Sequence, residues 1–293
     1  MDEKIKQTIK EEISKAIDAL ERKENKAEAI HYARKRMKVV RAYLRLIRFA
    51  LGKKQYKKQN IFFRDIGRKM AALRDHEVLI EKLEILENKA TEENLKTIIQ
   101  DLIKNECNEY TQHKHLFINQ NNILDGVILQ LKESRENILN LAVNGNTFTF
   151  IRPGLKKVYN RGHKAFRKAY KTKGIEEFHE FRKRVKYLSI QLKFLENCWK
   201  EVLKPFRKEI AHLSELLGED HDFGMLIETF EQKNMGLSQN ILNEIIRLAE
   251  EERSTLEKQA YPLAMKIYTE SPEEFIHRIE AYWEANNKKD DEP

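Results

Sequence analysis

The segment His31-Tyr-Ala-Arg34-Lys35-Arg36-Met-Lys38-Val-Val-Arg41-Ala-Tyr-Leu-Arg45 returns in kind as His179-Glu-Phe-Arg182-Lys183-Arg184-Val-Lys186-Tyr-Leu-Ser189-Ile-Gln-Leu-Lys193, the second histidine 148 positions after the first. At about 100° per residue, His31, Arg34, Lys38, Arg41 and Arg45 fall within roughly 80° of one another on a helix, and Ala33, Met37, Val40, Leu44 and Ile47 gather opposite. The second copy divides in the same way. His179, Arg182, Lys186 and Lys193 share a stripe, with Phe181, Val185, Leu188, Leu192 and Leu195 behind it. Such a chain must fold so that two helices are each anchored by an apolar back and present a row of positive charge. Arg36 interrupts the first apolar face, and Ser189 stands where Arg41 would repeat.

Charge is distributed in blocks. Twelve cations and no acid lie between Glu28 and Asp65, and nine cations and no acid run from Asn137 to Ile175. Solvated helix faces ordinarily mix signs, so these intervals point to an anionic partner. Charged residues make up 35% of the 293, with ten glycines and five prolines, the profile of a helical protein poor in turns. The polar start Met-Asp-Glu-Lys and the lack of a long apolar run imply no signal peptide, no membrane span and a cytoplasmic location. Cys107 and Cys198 fit no metal or redox spacing.

Apolar periodicity predicts helices over about 3–21, 26–51, 55–87, 91–119 and 123–143, then 152–171, 175–198, 201–231, 238–269 and 273–286. Asn25 can start the second, Gly52 can end it, and Ser271-Pro-Glu-Glu opens the last. The turn signal Asn144-Gly-Asn places a boundary near 145. Leu73-Arg74-Asp75-His76 through Ile80 is echoed by Asp220-His221-Asp222 through Ile227, with Asp75 and Asp222 147 positions apart. Two motifs repeated in one order at nearly one offset indicate an internal duplication. The expected architecture is all-α: two helical bundles, 1–145 and 146–293, related by a pseudo-two-fold, with the long basic helices facing a central groove or pore.

The order, doubling and size of these motifs resemble the CHAD family of histidine-bearing α-helical domains. The carriers are His31, Arg34, Lys38, Arg41, Arg45 and Arg74-Asp75, then His179, Arg182, Lys186, Lys193, Leu217-Gly218 and Asp222. The resemblance implies two bundles around a shared basic groove and binding of inorganic polyphosphate, often at polyphosphate granules. No Glu-x-Glu-x-Lys signature of a fused triphosphatase domain is present, so the chain resembles a stand-alone member. It departs from the pattern at Ser189, and at His221-Asp222 where the first half has Arg74-Asp75.

The residues support that ligand class by themselves. Polyphosphate offers closely spaced negative charge and no bases, so it calls for Arg forks and Lys point charges rather than stacking aromatics, and neither stripe contains an aromatic. The expected polyphosphate contacts are His31, Arg34, Lys35, Lys38, Arg41, Arg45, Arg74, His179, Arg182, Lys183, Lys186 and Lys193. Asp75 and Asp222 are expected to hold cationic side chains in place. No catalytic residue, metal ligand or cofactor is expected: neighbouring residues in Asp220-His221-Asp222 point apart on a helix, and His113-Lys-His115 lacks supporting ligands. Two rivals remain, a metal-dependent hydrolase or transferase using Asp75, His221 and Asp222, and an RNA-binding helical protein.

Overall fold

A computed structural model describes residues 2–22, 25–70, 72–115, 123–141, 143, 145, 147–233 and 236–288, with the backbone alone at 72–74 and 288. The described residues form eleven α-helices and no strand: α1 (Asp2–Glu21), α2 (Lys26–Leu46), α3 (Gly52–Lys69), α4 (Ala72–Lys89), α5 (Glu93–His115), α6 (Ile123–Leu139), α7 (Arg152–Thr172), α8 (Ile175–Leu195), α9 (Lys200–Gln232), α10 (Gln239–Ile267) and α11 (Pro272–Lys288). The all-α expectation holds. The turn Asn144-Gly-Asn lies partly outside the described residues.

The apolar backs of both striped helices are fully used. Ala33, Met37, Val40, Leu44 and Ile47 on and after α2, and Phe181, Val185, Leu188, Leu192 and Leu195 on α8, are at most 1% exposed. Arg36, which breaks the first face, meets Glu12 of α1 at 2.8 Å and lies 4.6 Å from the Tyr32 ring, so a charge at the edge of the core has a partner. Asn25 starts α2 in the left-handed region (φ 40°), its side chain accepting from the Glu28 amide.

One core joins α1, α2, α3 and α6 to α7, α8, α11 and the adjoining ends of α9 and α10. A second joins α4 and α5 to the C-terminal part of α9 and the N-terminal part of α10. This division explains a departure from the expected 55–87 helix, which is two helices. Phe63, Ile66 and Met70 belong to the first core and Leu79, Leu83 and Leu86 to the second, so the chain leaves one core for the other between α3 and α4. α9, by contrast, passes through the equivalent change unbroken over 33 residues.

α2 stops at Leu46, five residues short of the expected end, because the N-terminus of α7 abuts it there. A Cβ on Gly154 would lie 1.8 Å from the Leu46 carbonyl oxygen, so only glycine admits this approach. Gly52, at φ +73°, opens α3 instead of closing α2. Helices α2 and α8 touch directly: the buried Gln191 amide donates to the Ala42 carbonyl at 3.0 Å, and Tyr43 meets Phe194 edge-on. Helix pairing follows a regular order: α1 packs on α2 and α6, α7 on α8 and α11, α4 on α5, and α9 on α10.

Candidate functional site

Where α2 and α8 diverge from their contact, they form one wall of a cleft of about 510 Å³, and α4 and α9 form the other. His31, Arg34, Lys35 and Lys38 reach it from α2, and Arg182, Lys186 and Ser189 from α8. Asp75 and Val78 come from α4, and Ser214, Glu215, Gly218, Glu219, His221 and Asp222 from α9. Helical spacing makes this convergence possible, since 31, 34 and 38, like 182, 186 and 189, are three and four apart.

The electrostatics of the α2–α8 wall are dominated by burial, to which crowding of like charge adds at the two lysines. Burial together with Lys186, Arg182 and Arg34 brings the Lys38 ammonium down to about 7, and Asp222 only partly offsets them. Burial, Arg182 and Lys35 likewise bring Lys186 down to about 8. Arg182 is held below the ordinary arginine range by burial, against the pull of Asp222, Glu219 and Asp220. Its buried Nε has no hydrogen-bond acceptor. A buried guanidinium N–H without an acceptor costs about 1–3 kcal/mol until an anion supplies one.

Two histidines close one side. Nδ1 of His179 lies 3.0 Å from Nδ1 of His221, and burial pushes the rings down to about 4 and about 3, helped for His221 by His179 and Arg182. Both are neutral near pH 7 and share one proton between the facing nitrogens. The accepting ring therefore carries its own proton on Nε2.

The cleft also holds carboxylates. Asp75, Glu215, Glu219 and Asp222 stand against Arg34, Lys35, Lys38, Arg182 and Lys186. They are not equivalent to free negative charge. Glu219 pairs with the fully buried Lys82, and Asp222 is the carboxylate that steadies Lys38, Lys186 and Arg182. The cations sit on α2 and α8 and the acids on α4 and α9, which gives the cleft one cationic wall. Among the described residues, no Phe, Tyr or Trp lines it.

Of the residues expected from the sequence, His31, Arg34, Lys35, Lys38, Arg182 and Lys186 come together in this cleft, and His179 joins through His221. Arg41 and Arg45 lie beyond it: Arg41 donates to Asn60 at 3.3 Å, and Arg45 donates to the Arg41 carbonyl and sits 4.2 Å from the Tyr187 ring. Lys183 is engaged by Glu180 and Glu176, and Lys193 is exposed away from the cleft. The Arg74 side chain lies outside the described residues. Arg45, Arg48, Lys157, Arg161 and Arg184 form a second cationic group, in which Arg48 and Arg161 help hold Lys157 below the ordinary lysine range. Both acid-free intervals of the sequence thus meet at the α2–α7 junction.

Reading of the stripes missed the α9 wall. Its signal was present in Ala211, Ser214, Gly218, His221 and Met225, which recur at three- and four-residue spacing along one face of α9.

The family model described as CHAD domain matches residues 9–231, covering α2, α4, α8 and α9 and therefore every wall of the cleft. No curated protein matches the chain. Among the described residues, no helix is long and apolar enough to cross a membrane.

Proposed function

The chain belongs to the CHAD domain family, and from that premise we propose that it binds inorganic polyphosphate along the α2–α8 wall of the cleft. Members of this family are generally non-catalytic. The observation that carries the reading is the convergence of Lys38, Lys186 and Arg182 from two helices, buried and crowded enough to depress the charge of both lysines and including a buried N–H without an acceptor. Fixed cations already brought together lose little freedom when an anion arrives. Phosphate oxygens would accept from Arg182 and from the free imidazole N–H of the histidine pair, and would neutralise the two lysines.

The repeated motifs and the matched order of helix pairs support a reading of residues 1–145 and 146–293 as two repeats of one bundle, with α2 and α8 as equivalents. The second cationic group, reached along α2 through Arg41 and Arg45, would carry a longer chain out of the cleft toward Lys157 and Arg161. Binding of this kind suits recruitment to polyphosphate granules. Among the described residues the lining holds no Phe, Tyr or Trp, which weighs against single-stranded RNA, whose bases stack on such rings.

The direct test is binding of purified protein to size-fractionated polyphosphate, with RNA competing at equal phosphate concentration. We expect saturable binding that RNA displaces poorly and that weakens steeply with salt as the polyanion's counterions are released. Equal competition by RNA would overturn the ligand assignment.

The site also predicts proton uptake. A bound polyanion returns Lys38 and Lys186 toward the ordinary lysine range, so Lys38 takes up a proton above about pH 7 and Lys186 above about pH 8 as the ligand binds. Affinity at constant ionic strength should fall at least about tenfold between pH 7 and 9. Calorimetry in buffers of different ionisation enthalpy should record the uptake. Stability of the ligand-free protein should move the other way. The unfolded chain holds these protons to higher pH than the folded one, so this contribution rises with pH through the same window. A flat affinity profile would remove Lys38 and Lys186 from the site.

A further inference from the structure

A second group of chemistry-bearing side chains lies beyond the Asp75–Asp222 side of the cleft, between α4 and α5. His76, 9% exposed, and Glu106, 7% exposed, bring Nδ1 and Oε1 to 2.5 Å. The other ring nitrogen of His76, Nε2, lies 2.6 Å from Nδ1 of His113. One turn from Glu106, Glu109 adds a carboxylate, and donor atoms of His76, Glu106 and Glu109 all lie within 4.8 Å of one another. Glu106, Glu109 and His113 share one face of α5 at three- and four-residue spacing, and His76 approaches them from the first turns of α4. A cavity of about 370 Å³, lined by His76, Glu106 and His113, gives access.

We propose that His76 Nδ1 and the carboxylates of Glu106 and Glu109 bind one divalent transition-metal ion of the Zn²⁺ class, with His113 as the residue that orients His76. Three considerations of chemistry converge on it. Imidazole nitrogen and carboxylate oxygen are both ligand types for such ions, and three of them leave a fourth tetrahedral position for water or a ligand from the cavity. The two carboxyl groups and the imidazole bring three donor atoms together, which a divalent ion engages at once and a single shared proton does not. If His76 donates its Nε2–H to His113, its Nδ1 presents a lone pair to the group, the tautomer a metal requires, and an outer-shell partner of this kind is what fixes a ligating histidine. Admission of the ion requires His76 Nδ1 and Glu106 Oε1 to part to about 3.3 Å, the edge of a tetrahedron built on bonds near 2 Å. The alternative without metal is a hydrogen-bonded relay running from His113 through His76 to Glu106, in which Glu109 is a solvated surface carboxylate.

The site is independent of the polyphosphate reading, and its test uses the metal alone. The full-length protein, freed of metal by chelator and dialysis, is titrated with ZnCl₂ by calorimetry, and a Co²⁺ titration reports coordination through its visible absorption. We expect one ion per chain and the intense visible bands of tetrahedral Co²⁺. Affinity should fall at least about 100-fold in His76→Ala and about 10–100-fold in Glu109→Gln and His113→Ala. His179→Ala and His221→Ala should bind as the parent does. Glu109 is exposed, so Glu109→Gln tests the site without disturbing the core even if His76→Ala fails to fold. Absence of a saturable one-ion event, a purely octahedral Co²⁺ spectrum, or binding undiminished in Glu109→Gln would each overturn the proposal.

Discussion

Reversal of Lys38 and Arg182 together to glutamate should weaken polyphosphate binding at least about 100-fold, with helical content unchanged. Charge-assisted hydrogen bonds contribute about 1.5–3 kcal/mol each, so loss of the two most central ones alone would account for that factor. Reversal goes further by turning two attractions into repulsions beside Asp222, the carboxylate that now steadies both residues. The pair is chosen across helices, Lys38 on α2 and Arg182 on α8, because the site depends on their meeting. A parallel Lys193→Glu variant should bind nearly as the parent does, since Lys193 lies on the same stripe but away from the cleft. Equal losses in both proteins would mean that net charge rather than the cleft governs binding.

Gly154→Ala should destabilise the protein by about 3 kcal/mol or more, lowering the thermal midpoint by roughly 6–12 °C. The added methyl would fall 1.8 Å from the Leu46 carbonyl oxygen and 2.9 Å from that of Arg45. Both partners are backbone at a helix end, with no flexible side chain to move aside. Either α7 or the last turn of α2 must shift, and that turn carries Arg45. Gly126→Ala is the matched control. Gly126 lies within α6 with nothing near its missing Cβ, so alanine there should stabilise by about 0.5–1 kcal/mol through helix propensity. A Gly154→Ala protein as stable as the parent would mean the α2–α7 junction is looser than its geometry implies.

The two substitutions mark where the sequence was readable. The apolar backs of α2 and α8 were legible because helical periodicity places five residues of each on one side, and all ten are buried. The break between α3 and α4 was not, since an amphipathic pattern continues through it and only the presence of two cores shows why the chain turns. Nor was the end of α2, which is set by the approach of α7 from more than a hundred residues away. Arg36 looked like a flaw in an apolar face until Glu12 of α1 appeared opposite it. His113 and His115, set aside as a poor pair on one helix, gave no hint that His113 would meet His76, because that contact crosses between helices.

The amino-acid order alone determined that this chain is helical, that α2 and α8 each bury one face and offer charge on the other, and which side chains belong to each stripe. Those properties follow from the 3.6-residue period and the side-chain chemistry, both local. Only the tertiary structure decided what each member of the two stripes meets: Lys38 with Arg182 and Lys186 in the cleft, Arg45 against Tyr187, Lys183 against Glu180. The reason is that charges on a helix surface take their energies from whatever packs within a few ångströms, and those neighbours come from helices distant in the chain.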